Sequence, residues 1–131
     1  MSAAHTTTAI LYVEDEPLLQ EIAAMTLEDA GFDVVIAENG AAAFEVLDDH
    51  ADPFCAVITD VNLGAGPDGW AVARRARELD HTLPVIYVSG ASVHEWQANG
   101  VPNSVIIAKP FSATQIVLVI STLLMARRAS R

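Results

Sequence analysis

Five short runs of apolar, mostly β-branched residues recur along the chain, at 9–13, 34–37, 55–59, 85–88 and 105–108. None alternates cleanly between apolar and polar positions, the pattern of a strand with one wet face. Continuous runs of this length suit strands covered on both sides, as in a parallel sheet. Segments with helical spacing lie between them. In 17–30, Leu18, Ile22 and Met25 follow that spacing, Pro17 suits the first helical position and Gly31 the C-terminal cap. Asn39 is placed to cap a second helix carrying Phe44, Val46 and Leu47. A third starts near Asp68 and carries Trp70, Val72, Ala73, Ala76 and Leu79, with Arg74, Arg75 and Arg77 mostly on its outer side. A weak fourth, 91–99, runs into Asn99-Gly100 and Pro102, and a fifth covers 112–125. Strict alternation of strand and helix implies right-handed crossovers and helices on both faces of one sheet. The expected class is α/β, a five-stranded parallel sheet flanked by five helices.

A length of 131 residues fits one domain of ~100 to 150 residues, read here as 9–126 between tails at 1–8 and 127–131, with Arg127, Arg128 and Arg131 solvated. The 52% hydrophobic content against 18% charged excludes a disordered chain. Seventeen acids against seven Lys and Arg give a net charge of −10, which repels nucleic-acid backbones and anionic lipid, so no direct nucleic-acid partner is expected. Cys55 is alone and forms neither an internal disulfide nor a thiolate metal cage. The N-terminus lacks signal-type features. The longest apolar run, 116–126, is broken by Ser121 and Thr122 and falls short of the ~20 residues a spanning helix needs. A cytoplasmic protein without a membrane span is expected.

In open α/β sheets, ligands bind beyond the carboxyl ends of the strands. The first run ends into Glu14-Asp15-Glu16, the third into Asp60, the fourth into Ser89 and the fifth into Lys109-Pro110; the second, ending in Glu38-Asn39, is the exception. Strand ends also turn polar simply because the chain leaves the core, and acids stabilise helix N-termini, a role that suits Glu16 beside Pro17. That account is weaker for the set. Lys109 is the only lysine of the chain, and it sits between Val105-Ile106-Ile107-Ala108 and Pro110-Phe111 instead of on a solvated helix face. Gathering Glu14, Asp15 and Asp60 raises electrostatic energy, so a cation should compensate. Carboxylates with water suit Mg²⁺ or Mn²⁺, whereas His5, His50, His81 and His94 share no ligand spacing. An aspartate beside a divalent cation and a lysine is equipped to attack phosphorus and form an acyl phosphate. The Ser89 hydroxyl would then bind the new phosphoryl group.

Val-Glu-Asp-Glu-Pro at 13–17, Val-Ile-Thr-Asp-Val-Asn-Leu at 57–63, Asp-Gly at 68–69, Val-Ser-Gly at 88–90 and Lys-Pro-Phe at 109–111 together resemble the receiver domains of two-component response regulators. The resemblance covers roughly 9–126. It implies the strand order 2-1-3-4-5, which sets the first and third strands side by side. It implies Asp60 as phosphoacceptor, Glu14 and Asp15 as the acidic pair for Mg²⁺, the Asn62 backbone carbonyl as a further metal ligand, Ser89 as switch hydroxyl and Lys109 as phosphate-binding lysine. The implied partners are a histidine kinase or histidine phosphotransfer protein and a downstream protein.

Some positions depart from the family pattern. Ile106 stands where many receivers have an aromatic switch residue, and Tyr87, on the same strand side as Ser89, is a candidate substitute with core packing as its competing role. The loop after Asp60 has Gly64 where proline is common and one extra residue. The short fourth helix is the expected mobile element. Apolar residues surround the fifth helix, which marks Ile116 and Ile120 as interface candidates for a homodimer or another protein. Trp96 is either a partner anchor or a core residue. The resulting expectation is a stand-alone receiver signalling through a protein contact. The alternatives are a phosphorelay shuttle without output and a small aspartate-nucleophile phosphohydrolase. A flavin or nucleotide module fits poorly, because Glu-Asp-Glu repels phosphate where a glycine-rich loop should stand.

Overall fold

The computed structural model describes residues 8–49 and 53–129. Five strands, β1 (Ala9–Val13), β2 (Asp33–Ala37), β3 (Ala56–Asp60), β4 (Val85–Ser89) and β5 (Val105–Ala108), form one sheet in the order β2-β1-β3-β4-β5. Every neighbouring pair is parallel. The helices are α1 (Pro17–Asp29), α2 (Gly40–Asp49), α3 (Gly69–Leu79), α4 (Trp96–Asn99) and α5 (Ala113–Ala129). A single 3-10 turn, Val93–Glu95, leads into α4, so the weak fourth helix is one turn of each kind. β3 and β4 are buried along their whole length, as unalternating apolar runs require.

Alternate strand residues point to opposite faces, and each face has its own core. Ile10, Tyr12, Ile58, Ile86, Val88 and Ile107 meet α1 and α5 on one side. Leu11, Val13 and Val57 meet α2 and α3 on the other. A third cluster, centred on Tyr87 and Val85, packs against Trp70, Ala73 and Val101, with Trp96 and Ile106 at its border. Trp70 and Tyr87 have ring centroids 4.7 Å apart. The helix termini follow local chemistry. Pro17 opens α1, and Gly31 follows it with φ +98°. The Asn39 side chain accepts the Ala42 N–H at 2.8 Å, and Asp68 accepts that of Ala71 at 2.9 Å.

Several helix faces differ from expectation. Leu18, Ile22 and Met25 are exposed, and α1 instead buries Ala23 and Leu27. Two stripes with nearly the same spacing run along this helix, and the one containing the small Ala23 packs on the sheet. Leu79 is likewise exposed. Arg77 is half-buried, and its guanidinium donates to the carbonyls of Leu83 (2.7 Å) and Pro102 (2.6 Å). Ile116 and Ile120, expected at an interface, are buried against the sheet at 1% and 0% exposure, and the outer face of α5 carries Leu118 and Met125. The helix also runs through the region expected to be a tail from 127, with Arg127 donating to Asp80 at 2.8 Å. The N-terminal tail, apart from Thr8, together with His5, His50 and Arg131, lies outside the described residues. No helix among the described residues is long and apolar enough to cross a membrane.

Candidate phosphoacceptor site

Parallel pairing brings the carboxyl ends of the strands to one edge. Asp60 is the last residue of β3 and lies opposite Val88 of β4, one residue before Ser89. Val13, opposite Thr59 across the other side of β3, leads into Glu14 and Asp15. β5 delivers Lys109 immediately after Ala108, the partner of Ser89. Glu14, Asp15 and Asp60 each offer a carboxylate oxygen within 4.8 Å of the others. Lys109 Nζ lies 2.8 Å from Asp60 Oδ2 and 3.7 Å from Glu14 Oε1. The sequence-predicted acids and lysine therefore meet at one point.

Each oxygen has a distinct environment. Asp60 Oδ1 accepts the Asn62 N–H at 3.2 Å while Oδ2 accepts from Lys109. Glu14 has no exposed surface. Burial pushes its carboxyl up to about 7, and Asp60 adds to that rise, while Lys109 and the Glu16 N–H oppose it. Burial alone would pull the Lys109 ammonium down, but its hydrogen bond and charge interaction with Asp60, aided by Glu14, hold it above the ordinary lysine value. Tyr12, buried two residues before Glu14, has its phenol pushed up by burial and then by the charges of Glu14 and Asp60. Asp15 is exposed at the mouth of the site, and Asn62 is exposed beyond Asp60.

Ser89 is fully buried. Its Oγ accepts the N–H groups of Ala91 (3.2 Å) and Ser92 (2.7 Å), which starts the turn into Val93–Glu95. Tyr87 is also fully buried, and its hydroxyl accepts the Val101 N–H at 3.1 Å. Ile106 is the sheet partner of Tyr87 and is half-buried. Trp96 is half-buried as well, and its indole N–H donates to Ser104 Oγ at 2.9 Å.

Two further residues support the site, of which only Gln20 carries no motif signal. Gln20 donates from Nε2 to the Glu14 carbonyl at 2.6 Å, tying the first turn of α1 to the acidic loop. Gly69 starts α3 so close to the site that a Cβ there would collide with the Asp60 carbonyl oxygen and lie 2.8 Å from Val61 Cα. The glycine of the Asp68-Gly69 pair is thus required by close backbone approach.

The sequence pattern of the response regulator receiver domain matches residues 10–121. The chain belongs to this receiver family. It is 33% identical over 119 residues to the response regulator receiver protein CpdR of Brucella abortus, covering 89% of this chain and 97% of CpdR. It is 29% identical over 115 residues to an NtrX-like response regulator of Rickettsia conorii, covering 86% of this chain but 24% of that longer protein. Among solved structures, a response regulator receiver protein from Sinorhizobium medicae is 43% identical with a TM-score of 0.88, covering 93% of this chain and 98% of the other. The receiver fold, the two-component setting and the strand order 2-1-3-4-5 are those expected from the sequence.

Proposed function

We propose that this receiver accepts a phosphoryl group on Asp60 from a phosphohistidine of a kinase or phosphotransfer protein, in a reaction that depends on Mg²⁺. The observation that carries this reading is the 2.8 Å contact of Lys109 with Asp60, inside a set of three carboxylates whose oxygens lie within 4.8 Å of one another. The donors are oxygens of buried and exposed carboxylates, which fit a hard divalent ion. Glu14, Asp15 and Asp60 would hold it with the Asn62 carbonyl. When bound, Mg²⁺ neutralises charge on the phosphoryl oxygens.

The chain's own residues supply the remaining steps. An Asp60 carboxylate oxygen attacks phosphorus in line with the departing imidazole nitrogen. The P–N bond breaks as the O–P bond forms, and the imidazole leaves with the electron pair and is protonated. Lys109, already on Asp60, follows the charge onto the phosphoryl oxygens. Ser89 donates its hydroxyl proton to one of them. The output is a protein contact made by the altered surface. A phosphohydrolase reading is weaker, because Asn62 stands where a second catalytic aspartate would be needed, and an amide is no general acid.

A protein donor has to bring its histidine to this edge. Leu18 and Ile22 are exposed on α1. An apolar groove of about 360 Å³, lined by Leu19, Ile22, Pro110, Phe111 and Ala113, ends at Lys109. This continuity with the site supports the groove as the docking surface for the phosphodonor protein. Ile22→Asp should slow transfer from a protein donor by about tenfold or more, equivalent to ~1.4 kcal/mol, and leave labelling by a small acyl phosphate unchanged. The central test is incubation with Mg²⁺ and a small phosphodonor, read by intact mass after fast quenching. Wild type should gain one phosphoryl mass and Asp60→Asn none. Steady turnover of a phosphate ester at ~1 per second or more would favour the hydrolase instead.

A further inference from the structure

Around Trp96 the hydrogen bonds form a connected path. The indole N–H donates to Ser104 Oγ (2.9 Å), Ser104 Oγ donates to the Val101 carbonyl (2.6 Å), and the Val101 N–H donates to the Tyr87 hydroxyl (3.1 Å) on β4. The Gly100 N–H closes back on the Trp96 carbonyl at 2.8 Å. Sterics reinforce this path, since a Cβ at Gly100 would collide with the Trp96 indole. Asn103 holds the turn with φ +59°, and Arg77 fastens the neighbouring Pro102 carbonyl to α3. Trp96, Tyr87 and Val101 belong to one packed cluster. By contrast, Gly90, Ala91 and Val93–Glu95 are exposed, and the 3-10 turn buries no residue.

We infer that the switch in this receiver is confined to residues 90–95, with Trp96 as its fixed end, and that no aromatic rotamer change is involved. This inference rests on the reading of Asp60 as phosphoacceptor. Ser89 Oγ is attached to the N–H groups of Ala91 and Ser92, so drawing Ser89 towards a phosphoryl group on Asp60 pulls on the start of this segment. The far end is held by the Trp96–Ser104–Val101–Tyr87 path. Tyr87 cannot swing out without breaking its bond to Val101 and leaving the core, and Ile106 has no ring to move. The strain falls on the exposed 3-10 turn, and the surface that changes carries Val93, His94 and Glu95. The moving piece is therefore narrower than the whole fourth-helix region.

The test is NMR of the full chain with Mg²⁺, before and after addition of beryllofluoride as phosphoryl mimic, with the indole resonance assigned through Trp96→Phe. The backbone amides of Ala91, Ser92 and 93–95 should move by several linewidths, while the Trp96 indole N–H and the Val101 amide move by less than one. In Ser104→Ala, which removes the indole acceptor, the same addition should shift the Trp96 indole as well. An indole shift in wild type as large as that of Ser92 would overturn the fixed end. So would a Ser104→Ala variant that, still folded by its amide dispersion, behaves as wild type. Absence of any shift, with no phosphoryl mass on Asp60, would overturn the phosphoacceptor reading and this inference with it. Phosphoryl uptake with the shifts spread over 96–106 would remove only the inference.

Discussion

At Glu14 a carboxyl group without exposed surface faces Lys109 on one side and the charge of Asp60 on the other, and its affinity for protons is tied to folding. It holds its proton up to about 7 in the folded chain, against an ordinary value of 4.5. Between those values the folded state binds more protons than the unfolded one, so this group's contribution to stability falls as pH rises through the window. In metal-free buffer the melting temperature of wild type should fall more steeply over that range than that of Glu14→Gln, as thermal denaturation by circular dichroism would show. Equal slopes would remove Glu14 as the cause. Lys109→Ala takes away the cation held by Asp60 and Glu14, and we expect a loss of about 1.5–3 kcal/mol, the range for a hydrogen bond to a charged group. Chemical denaturation would measure it. The acids and the lysine were legible in the sequence because each directly follows an apolar run. Gln20 was not, because a side chain reaching back six residues to a carbonyl leaves no pattern.

Among the elements, the strands were legible and the helix faces only partly so. A strand buried on both sides writes an unbroken apolar run, as 85–88 does. On α1, Leu18, Ile22 and Met25 looked like the inward stripe because they are large, whereas the face that packs depends on Ala23 letting the helix approach the sheet. Leu27→Ala should cost about 2–5 kcal/mol, but Met25→Ala should fall within about 0.5 kcal/mol of wild type, a contrast that urea titration of the two variants would reveal. On α3, Asp68→Ala removes the cap to the Ala71 N–H and should cost about 1 kcal/mol. Gly69→Ala acts differently, because its new methyl pushes on the backbone of Asp60 and Val61. Phosphoryl uptake should fall even where the variant remains folded, as intact mass would report. The contact across the loop at 100–104 was illegible for another reason: Trp96 and Ser104 meet only because Gly100 and Asn103 bend the chain between them.

For the molecule as a whole, alternation of strand and helix was enough to specify the architecture. The order of strands came from the motifs, since periodicity alone does not say which strand lies at the centre. That order places β1 and β3 side by side and so produces the crowding of acids on which the site depends. A divalent ion binding only the folded chain should raise its stability by about 2.7 kcal/mol at a hundredfold excess over its dissociation constant. The gain should vanish in Asp15→Asn combined with Asp60→Asn, which calorimetry with and without Mg²⁺ would test. The contact of Arg127 with Asp80 is one the sequence hid: a pair of arginines after an apolar run reads as a solvated end, yet one of them joins the last helix to the end of α3. Lys109, finally, is the only lysine in the sequence, so the protein presents a single side-chain amine to acylating chemistry. Modification of that one nitrogen would erase the positive charge beside Asp60, and an amine-directed reagent, with peptide mapping to separate Lys109 from the more reactive N-terminal amine, becomes a probe of whether this receiver is armed.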